Sequence, residues 1–580
     1  MANSKDDYIF RSPFADIGEK IKIPEIPLHS FIFQSIGMNH DILGERPLVI
    51  DAQREQSILY KELEPLSKQF ASALTRMGFK KGDVLFYMTY NSSLMYVLHF
   101  GVWMCGGATR GYFQREEKGE VERIMREVGA KFALCEQETS DTIKWAASQM
   151  EWPVKLLCID GGVEGAILVE DMVYKDDGSA YKEIEINPKE DVVFIPSTNG
   201  STGFPKGSLI THFNYVAMLA GMGAPMKFSS DVKHKVFLSV MTNFTNAPML
   251  TFLNCVVRKY TFISIPKFRE NEYFKYVDRY KPDVIFLFPY AARWFSRTHE
   301  VLEHDLSTVK EIIVTGAVFE HATLMQLSKK MPQTNIYVTY GSTEMLFVSC
   351  HDFSHYFAPE AAGRIVSQCS PVVEFENENH VSCGLLLTFV EAKILDVSSG
   401  KPLGKMKKGK LMVRSPYVFK GYLQNAGKGF KKAVDDEGWF DSGDIAFFDE
   451  NNHLYVVDRL KSIFKCYMHQ VSPVEIEGVI VQIPDVLSVG VVGIPNPQAT
   501  SVARAYVVLK PGSKITAEEI KEYVAGRTPF YKHLHGGVIF LDKLPETRGG
   551  KIDRLSLLKH AKDNMKSETN GNTLPFFEAV

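Results

Sequence analysis

The sequence lacks several features that would define a class of protein. Its 580 residues carry a formal net charge of -3 at pH 7, without the basic excess that suggests a nucleic-acid partner. The opening MANSKDDYIFRSPF has no apolar signal core, and the final Glu578-Ala579-Val580 differs from a peroxisomal S-K-L ending. We therefore expect a cytoplasmic protein that does not bind nucleic acid.

Long apolar runs and closely spaced cysteines are also missing. The longest apolar run, Leu94 to Gly107, contains His99 and is too short to cross a bilayer. It predicts a buried helix and no transmembrane segment. The 8 cysteines form no C-x-x-C pair, which is typical of reduced thiols and gives no metal-binding signature.

The pattern that is present alternates between helix-like and strand-like segments. Apolar residues recur at helical spacing from Leu59 to Met77, and a strand-like run, Val84 to Met88, follows. Further strand-like runs, mostly separated by helix-length segments, are Val192 to Ile195, Val284 to Phe288, Ile312 to Val314 and Ile336 to Val338. This alternation predicts an α/β fold with largely buried, mixed sheets flanked by helices.

The length predicts two or more domains. Beyond Asp458-Arg459 a shorter α/β pattern begins, with strand-like segments Val486 to Val492 and Ala505 to Leu509. We place the domain boundary near Lys461. The predicted large domain covers residues 1–460, and the predicted small C-terminal domain covers residues 461–580.

A segment rich in glycine and hydroxyl groups, STNGSTGFPKGS from Ser197 to Ser208, indicates an oxyanion site. It is not a P-loop, because Pro205 precedes Lys206 and has no backbone N–H to offer a phosphate. Glycine still lets backbone N–H groups approach a phosphate, and hydroxyls add donors. The predicted clamp consists of Thr198, Ser201, Thr202, Gly203 and Lys206. An ordinary surface turn is the alternative.

Further segments accompany this loop in a fixed order. They are YGSTE (Tyr340 to Glu344), GWFDSGD (Gly438 to Asp444), DRLK (Asp458 to Lys461) and GKIDR (Gly550 to Arg554). With STGFPKG, they resemble the motifs of the acyl-adenylate-forming superfamily, which includes acyl- and aryl-CoA synthetases, adenylation domains and beetle luciferases. The resemblance spans almost the whole chain. It implies a large adenylating domain and a mobile C-terminal domain joined by a hinge at Lys461.

The resemblance also implies roles for single residues. Tyr340 would lie against the adenine, Asp444 would accept the ribose hydroxyls, and Arg459 would assist at ribose or phosphate. Glu344 would bind Mg²⁺. The segment Gly316-Ala317-Val318 would form the opposite wall of the adenine site. Other residues implied to act on the nucleotide or on coenzyme A are Gly341, Ser342, Thr343, Lys206, Lys551, Lys465 and Gln470.

The reaction that the resemblance implies has two steps. A small carboxylic acid, fatty or aryl, attacks ATP to give acyl-AMP and pyrophosphate, with Lys206 and Lys551 stabilising the developing charge. Coenzyme A then displaces AMP after the small domain has rotated. The acyl pocket is expected to use Phe244, Thr315, Val318, Met345 and Leu346, which could equally be core residues. The sequence fixes neither the acid nor the oligomeric state.

Several positions depart from the family pattern. Asn199 replaces a small hydroxyl residue in the loop, and Thr242 or Asn243 stands near an expected histidine. Met468 replaces a glycine that approaches the pantetheine arm in members that form thioesters. FENENHVSCG, Phe375 to Gly384, indicates an inserted loop, interpreted as surface decoration rather than a lid.

These departures keep two alternatives open. One is an adenylate-forming enzyme that stops at acyl-AMP or passes the acyl group to an acceptor other than coenzyme A, which Met468 favours. The other is a non-catalytic nucleotide-binding relative, which the altered Asn199, Thr242 and Met468 favour. Retention of the charged residues of the motifs argues against this second alternative.

Overall fold

The computed structural model describes residues 8–90, 92–198, 206–223, 234–240, 243–351, 369–376, 378–424, 429–467, 469–496, 498–547 and 551–568. Within these ranges a large N-terminal domain contains two mainly parallel sheets and an antiparallel sheet, and a small α/β domain follows. The α/β class predicted from the alternating segments is confirmed. None of the helices in the described ranges combines the length and apolarity needed to cross a membrane.

The sheet that carries the glycine-rich segment is parallel in its centre. Its parallel strands are Val192–Phe194, Ala108–Gly111, Val84–Met88, Phe132–Cys135, Lys155–Cys158 and Ile167–Leu168. Antiparallel strands extend one side, in the order Lys206–Thr211, Gly421–Leu423 and Phe430–Lys431, and Ser197–Thr198 pairs with the first of them. Every residue of the predicted strand Val84–Met88 is buried.

A second parallel sheet positions the YGSTE segment. Its strands, in spatial order, are Asn335–Val338, Glu311–Val314, Val284–Leu287, Val236–Ser239, Thr261–Ser264 and Pro47–Asp51, with Gln56–Leu59 antiparallel at the edge. Residues that follow parallel strands gather at one edge of the sheet, where α/β proteins bind ligands. Gly316 and Tyr340 both lie at that edge.

Helices fill the space between these sheets and cover their outer faces. One core joins both sheets through the helices Leu28–Gly37, Leu63–Arg76, Ser93–Met104, His212–Gly221 and Asn246–Val257. Outer helices are Lys118–Glu127, Ser140–Ser148, Glu270–Tyr280, Pro289–Arg297 and His321–Lys330; shorter ones are Ala15–Gly18, His40–Leu43, Val169–Tyr174 and Glu300–Glu303. The buried helix predicted near Leu94 is confirmed, because all of Ser93–Met104 is buried.

Antiparallel strands complete the large domain. One sheet contains Phe10–Arg11, Glu391–Leu395, Pro402–Leu403, Gly409–Arg414, Phe440–Phe448 and Leu454–Arg459, and a smaller one contains Tyr340–Ser342, Leu346–Cys350 and Leu385–Leu386. The strands Val372–Phe375 and Glu378–Val381 form a hairpin. The expectation of a loop over Phe375 to Gly384 is therefore wrong for Phe375 and for Glu378–Val381, which lie in the two strands, where exposed positions alternate with more buried ones.

The small domain has its own sheet and its own core. The strands are Phe464–Cys466, His469–Val471, Val486–Asn496, Thr500–Leu509 and Val538–Phe540, and the helices are Pro473–Ile480, Ala517–Ala525 and Arg554–Glu568. Lys461 lies in the turn between the last antiparallel strand of the large domain and Phe464–Cys466. The boundary at this residue stays a prediction.

Candidate functional site

The candidate site begins where neighbouring parallel strands of the second sheet end. Gly316 follows Glu311–Val314 with φ of +100°, and an added Cβ would lie 3.2 Å from the Phe288 ring. The Thr315 hydroxyl donates to the carbonyl of Thr339, at 3.1 Å, which ties the two strand ends together. Ala317 is exposed and Val318 is half-buried. The left-handed conformation of Gly316 therefore ends the strand in a short turn of small residues, beside the strand end that leads to Tyr340.

Tyr340, Asp444 and Arg459 form one polar cluster. The Tyr340 hydroxyl donates to the Asp444 carboxylate, and Arg459 Nε lies 2.8 Å from Asp444 Oδ1. Asp444 and Arg459 are directly opposite on paired strands, so the sheet register brings them together. Burial raises the pKa of the Asp444 carboxyl, and Arg459, Tyr340 and Lys551 act in the opposite direction. The sequence did predict these residues as a common site.

Glu344 belongs to a second cluster that includes a residue the motifs missed. The Tyr422 hydroxyl donates to Glu344 Oε1 at 2.9 Å, and Lys206 Nζ lies 5.4 Å from the centre of the Tyr422 ring. Burial and the Glu344 carboxylate raise the pKa of Tyr422. Its strand, Gly421–Leu423, pairs with the strand that begins at Lys206. The segment FKGYL gave no signal of this role, because the pairing partner is distant in sequence.

The YGSTE segment is held in place by its backbone. A Cβ on Gly341 would lie 2.0 Å from the carbonyl oxygen of Leu346, so this close approach requires glycine. The Ser342 hydroxyl accepts from the Glu344 backbone N–H at 3.2 Å. The Asn246 side-chain amide donates to the Thr343 carbonyl at 3.3 Å, which makes Asn246 a second contact that the motifs missed.

The ends of the glycine-rich segment form a strand pair. Thr198 is opposite Lys206, and its hydroxyl donates to the Lys206 carbonyl at 3.5 Å. Lys206 is exposed at the start of its strand. The predicted residues Ser201, Thr202 and Gly203, and the altered Asn199, lie outside the described residues, as does Thr242.

Lys551 reaches the site from the small domain. Glu546 and Ile552 pair on either side of it, and its backbone N–H donates to the Thr547 hydroxyl at 3.2 Å. Although the residue keeps an exposed surface, many protein atoms surround its amino group. This removal from water, together with Arg459, lowers the pKa of Lys551. The carboxylates of Asp444 and Glu344 act in the opposite direction on this pKa.

The segment implied to meet coenzyme A is a hairpin of the small domain. Lys465 is opposite Gln470, and Cys466 is opposite His469. Tyr467, in the turn, has φ of +52°, a left-handed conformation that is uncommon for residues with a Cβ. Met468 lies outside the described residues. Among the described residues, no hydrogen bond or ion pair joins Lys465 to the clusters around Asp444 and Glu344.

The expected acyl-pocket residues are mostly buried. Phe244, Met345 and Leu346 belong to the core that joins the two parallel sheets, and Thr315 is also buried. Val318 is half-buried. The core interpretation therefore accounts for Phe244, Met345 and Leu346, and Val318 is the most accessible of the set.

A polar cavity of about 670 Å³ is lined by other residues and contains none of the motif residues. Arg54 there bonds to Asp51 and Asp160 at 3.0 and 2.7 Å, and to Glu136 at 3.3 Å. Its guanidinium is already neutralised by these carboxylates. The clusters at Tyr340 and Glu344, rather than this cavity, contain the residues whose chemistry suits a nucleotide.

In comparisons with known proteins, two models of one enzyme family match the chain. The model described as AMP-binding enzyme matches residues 42–423, and the one described as AMP-binding enzyme C-terminal domain matches residues 475–551. The chain is 28% identical over 566 residues to 4-coumarate-CoA ligase 1 of Narcissus pseudonarcissus, covering 96% of each protein.

Solved structures share the fold at lower identity. The anthranilate CoA ligase AuaEII, in complex with anthranoyl-AMP, has a TM-score of 0.80 and 18% identity, covering 95% of this chain and 99% of that one. The amide bond synthetase McbA from Marinactinospora thermotolerans has a TM-score of 0.73 and 20% identity, covering 92% and 100%. The family models, which account for most of the chain, establish that it belongs to the AMP-binding enzymes, the acyl-adenylate-forming superfamily.

Proposed function

We propose that the protein is an AMP-forming acid–thiol ligase. A carboxylate oxygen attacks the α-phosphorus of ATP, pyrophosphate leaves, and acyl-AMP forms. The thiol of coenzyme A then attacks the acyl carbon, loses its proton and releases AMP. The observation that supports this most strongly is the cluster in which Tyr340 and Arg459 both contact the Asp444 carboxylate, since it joins three motifs that lie far apart in the chain.

The proposed roles follow from charge and position. Tyr340 and the Gly316-Ala317-Val318 wall hold the adenine, and Asp444 with Arg459 holds the ribose. Thr343, the glycine-rich clamp and Lys206 bind the phosphates, while Lys551 offsets repulsion between the acid and the α-phosphate. Gly341 and Ser342 keep the YGSTE backbone in place.

Glu344 fits a role as ligand to Mg²⁺. Its carboxylate accepts at Oε1 from the Tyr422 hydroxyl, and the ring of the same tyrosine lies near the amino group of Lys206. A hard oxygen ligand of this kind suits Mg²⁺, which neutralises phosphate charge when bound. Because the attacking acid is already ionised at neutral pH, Glu344 has no proton to remove.

Lys461 is proposed as the hinge, with the domain boundary at its turn. Lys465 and Gln470 are proposed to contact coenzyme A after rotation. The acid is proposed to be an aryl or fatty acid, and the relative named 4-coumarate-CoA ligase makes 4-coumarate the first one to test. Exchange of labelled pyrophosphate into ATP across a panel of acids tests activation. Thioester formation with coenzyme A tests the acceptor.

An adenylate-forming enzyme with another acceptor is the second candidate. Met468 stands where thioester-forming members have glycine, directly after the left-handed Tyr467. Exchange activity without acyl-CoA, but with product from an added amine, would favour it. Absence of exchange with every acid, in protein that still binds ATP, would favour the non-catalytic relative.

A further inference from the structure

Arg297 joins the large domain to the small one through backbone carbonyls. It is the last residue of the helix Pro289–Arg297. Its Nη1 donates to the carbonyls of Val486 and Leu487 at 2.8 and 3.0 Å, and its Nη2 donates to the carbonyl of Val481 at 2.8 Å. One guanidinium thus holds three acceptors of the small domain in a fixed geometry.

These carbonyls surround the end of a small-domain helix. Val481 is the C-cap of Pro473–Ile480, and Val486 begins the following strand. The last carbonyls of a helix have no partners within it, and the negative end of the helix dipole attracts a cation. Arg297 therefore supplies a donor to the Val481 carbonyl at the helix end, together with the favourable charge.

A second contact between the domains involves the hairpin that was expected to be surface decoration. Glu378 of this hairpin forms an ion pair with Lys532 of the small domain, and Lys532 is also 3.0 Å from Glu475. Lys408 of the large domain is 2.9 Å from Glu376 and 3.7 Å from Glu475. Lys532 is nearly fully buried. Charges from both domains therefore alternate in this cluster, in which Lys532, Glu378 and Glu475 are largely buried and Glu376 is exposed.

A charge cluster of this kind fixes the relative orientation of the two domains more strictly than a nonspecific apolar contact would. Removing one partner leaves an uncompensated charge, so sliding of the domains is costly. Lys532 provides the positive charge between Glu378 and Glu475. Arg297 and this cluster contact different parts of the small domain, and two separate contacts restrict rotation more than one.

We propose that Arg297 and Glu378 are positioning residues that hold the small domain in the orientation of this structure, in which Lys551 is proposed to act. The inference rests on the proposed function, since it assigns these residues to the first half-reaction. Neither residue touches the substrate. Both contacts must break before the small domain can rotate for the second half-reaction.

The first test separates the two half-reactions. In Arg297→Met we expect acid-dependent pyrophosphate exchange to fall on the order of tenfold or more, because Lys551 loses its fixed position. Thioester formation from supplied acyl-adenylate and coenzyme A should be unchanged or faster. Glu378→Gln should act in the same direction. Unchanged exchange, or equal loss of both half-reactions, would overturn the proposal.

A matched control and a double variant test whether Arg297→Met lowers activity only through a general loss of stability. Arg76 also ends a helix, and its guanidinium bonds to Asp176, Asp177 and Ser179 within the large domain. Arg76→Met should leave both half-reactions intact. Adding Arg297→Met to Lys551→Ala should cause little further loss of exchange, because Arg297 acts through Lys551; an independent loss would contradict this.

A distance measurement tests the docking without relying on activity. Glu45 and Glu518 are strongly exposed, one in each domain, and can carry a donor and an acceptor dye through Glu45→Cys and Glu518→Cys. We expect one narrow distance distribution, broadened by Arg297→Met or Glu378→Gln. An unchanged distribution would overturn the docking role. Broadening without exchange activity in the parent protein would contradict only the proposed function.

Discussion

At the scale of single residues, Asp444 has two protein partners in addition to its proposed partner, the ribose. One carboxylate oxygen accepts from Tyr340, and the other lies against Arg459. An ionised carboxylate offers about four acceptor positions, so each oxygen retains a lone pair for a ribose hydroxyl. The protein partners therefore orient the carboxylate without saturating it. The same logic applies to Glu344, whose Oε1 is oriented by Tyr422.

Lys551→Ala tests the charge that the small domain brings to the cleft. We expect the adenylation rate to fall on the order of 10²-fold or more, because a fixed cation no longer offsets repulsion between two anions. Pyrophosphate exchange measures this, and the melting temperature should hardly change. Lys543→Ala, an exposed lysine of the same domain, is the control. Near-normal exchange in folded Lys551→Ala would remove this lysine from the mechanism.

Glu344→Gln tests the metal role of the second cluster. The amide oxygen can still accept from Tyr422, but the charge that favours Mg²⁺ is lost. We expect a higher Mg²⁺ concentration to be needed for half-maximal exchange, and a lower maximal rate. Glu311→Gln, at a half-buried ion pair with Lys235, is the control for the loss of a carboxylate. A metal titration identical to that of the parent protein would contradict the assignment.

At the scale of elements, regular apolar patterns could be predicted and tertiary pairings could not. The strand Val84–Met88 and the helix near Leu94 were evident because burial leaves a continuous apolar run. The hairpin Val372–Val381 was missed because its exposed and polar positions resemble a loop. The role of Tyr422 was missed because it depends on which strand lies beside Lys206.

Substitutions of Met468 test the hairpin that is proposed to contact coenzyme A. If the parent protein forms thioester, the flexible Met side chain must lie away from the pantetheine path. Met468→Gly should then be neutral or mildly activating. Met468→Trp should slow thioester formation but leave pyrophosphate exchange intact. Gain of thioester formation only in Met468→Gly would show that the parent protein uses another acceptor.

At the scale of the whole molecule, the motif residues could be identified from the sequence, whereas the contacts between the two domains could not. The motifs predict that residues of both domains share one site, and Tyr340, Asp444 and Arg459, from three of these motifs, do contact one another. The contacts that hold the domains together left no such signal. Arg297 binds backbone carbonyls, which every residue possesses, so no sequence pattern identifies its partners.

Lys461→Pro tests whether the small domain rotates about the turn that joins it to the large domain. Proline fixes φ near −65° and restricts the preceding residue, so it should oppose a backbone rotation at this turn. We expect pyrophosphate exchange to stay within about threefold of the parent protein, while thioester formation falls on the order of 10²-fold, because only the second step requires rotation. Lys461→Ala, which keeps the backbone free, should retain both activities. If Lys461→Pro also retains both, the rotation takes place at another residue; if it loses both while still folded, Lys461 contributes to adenylation itself.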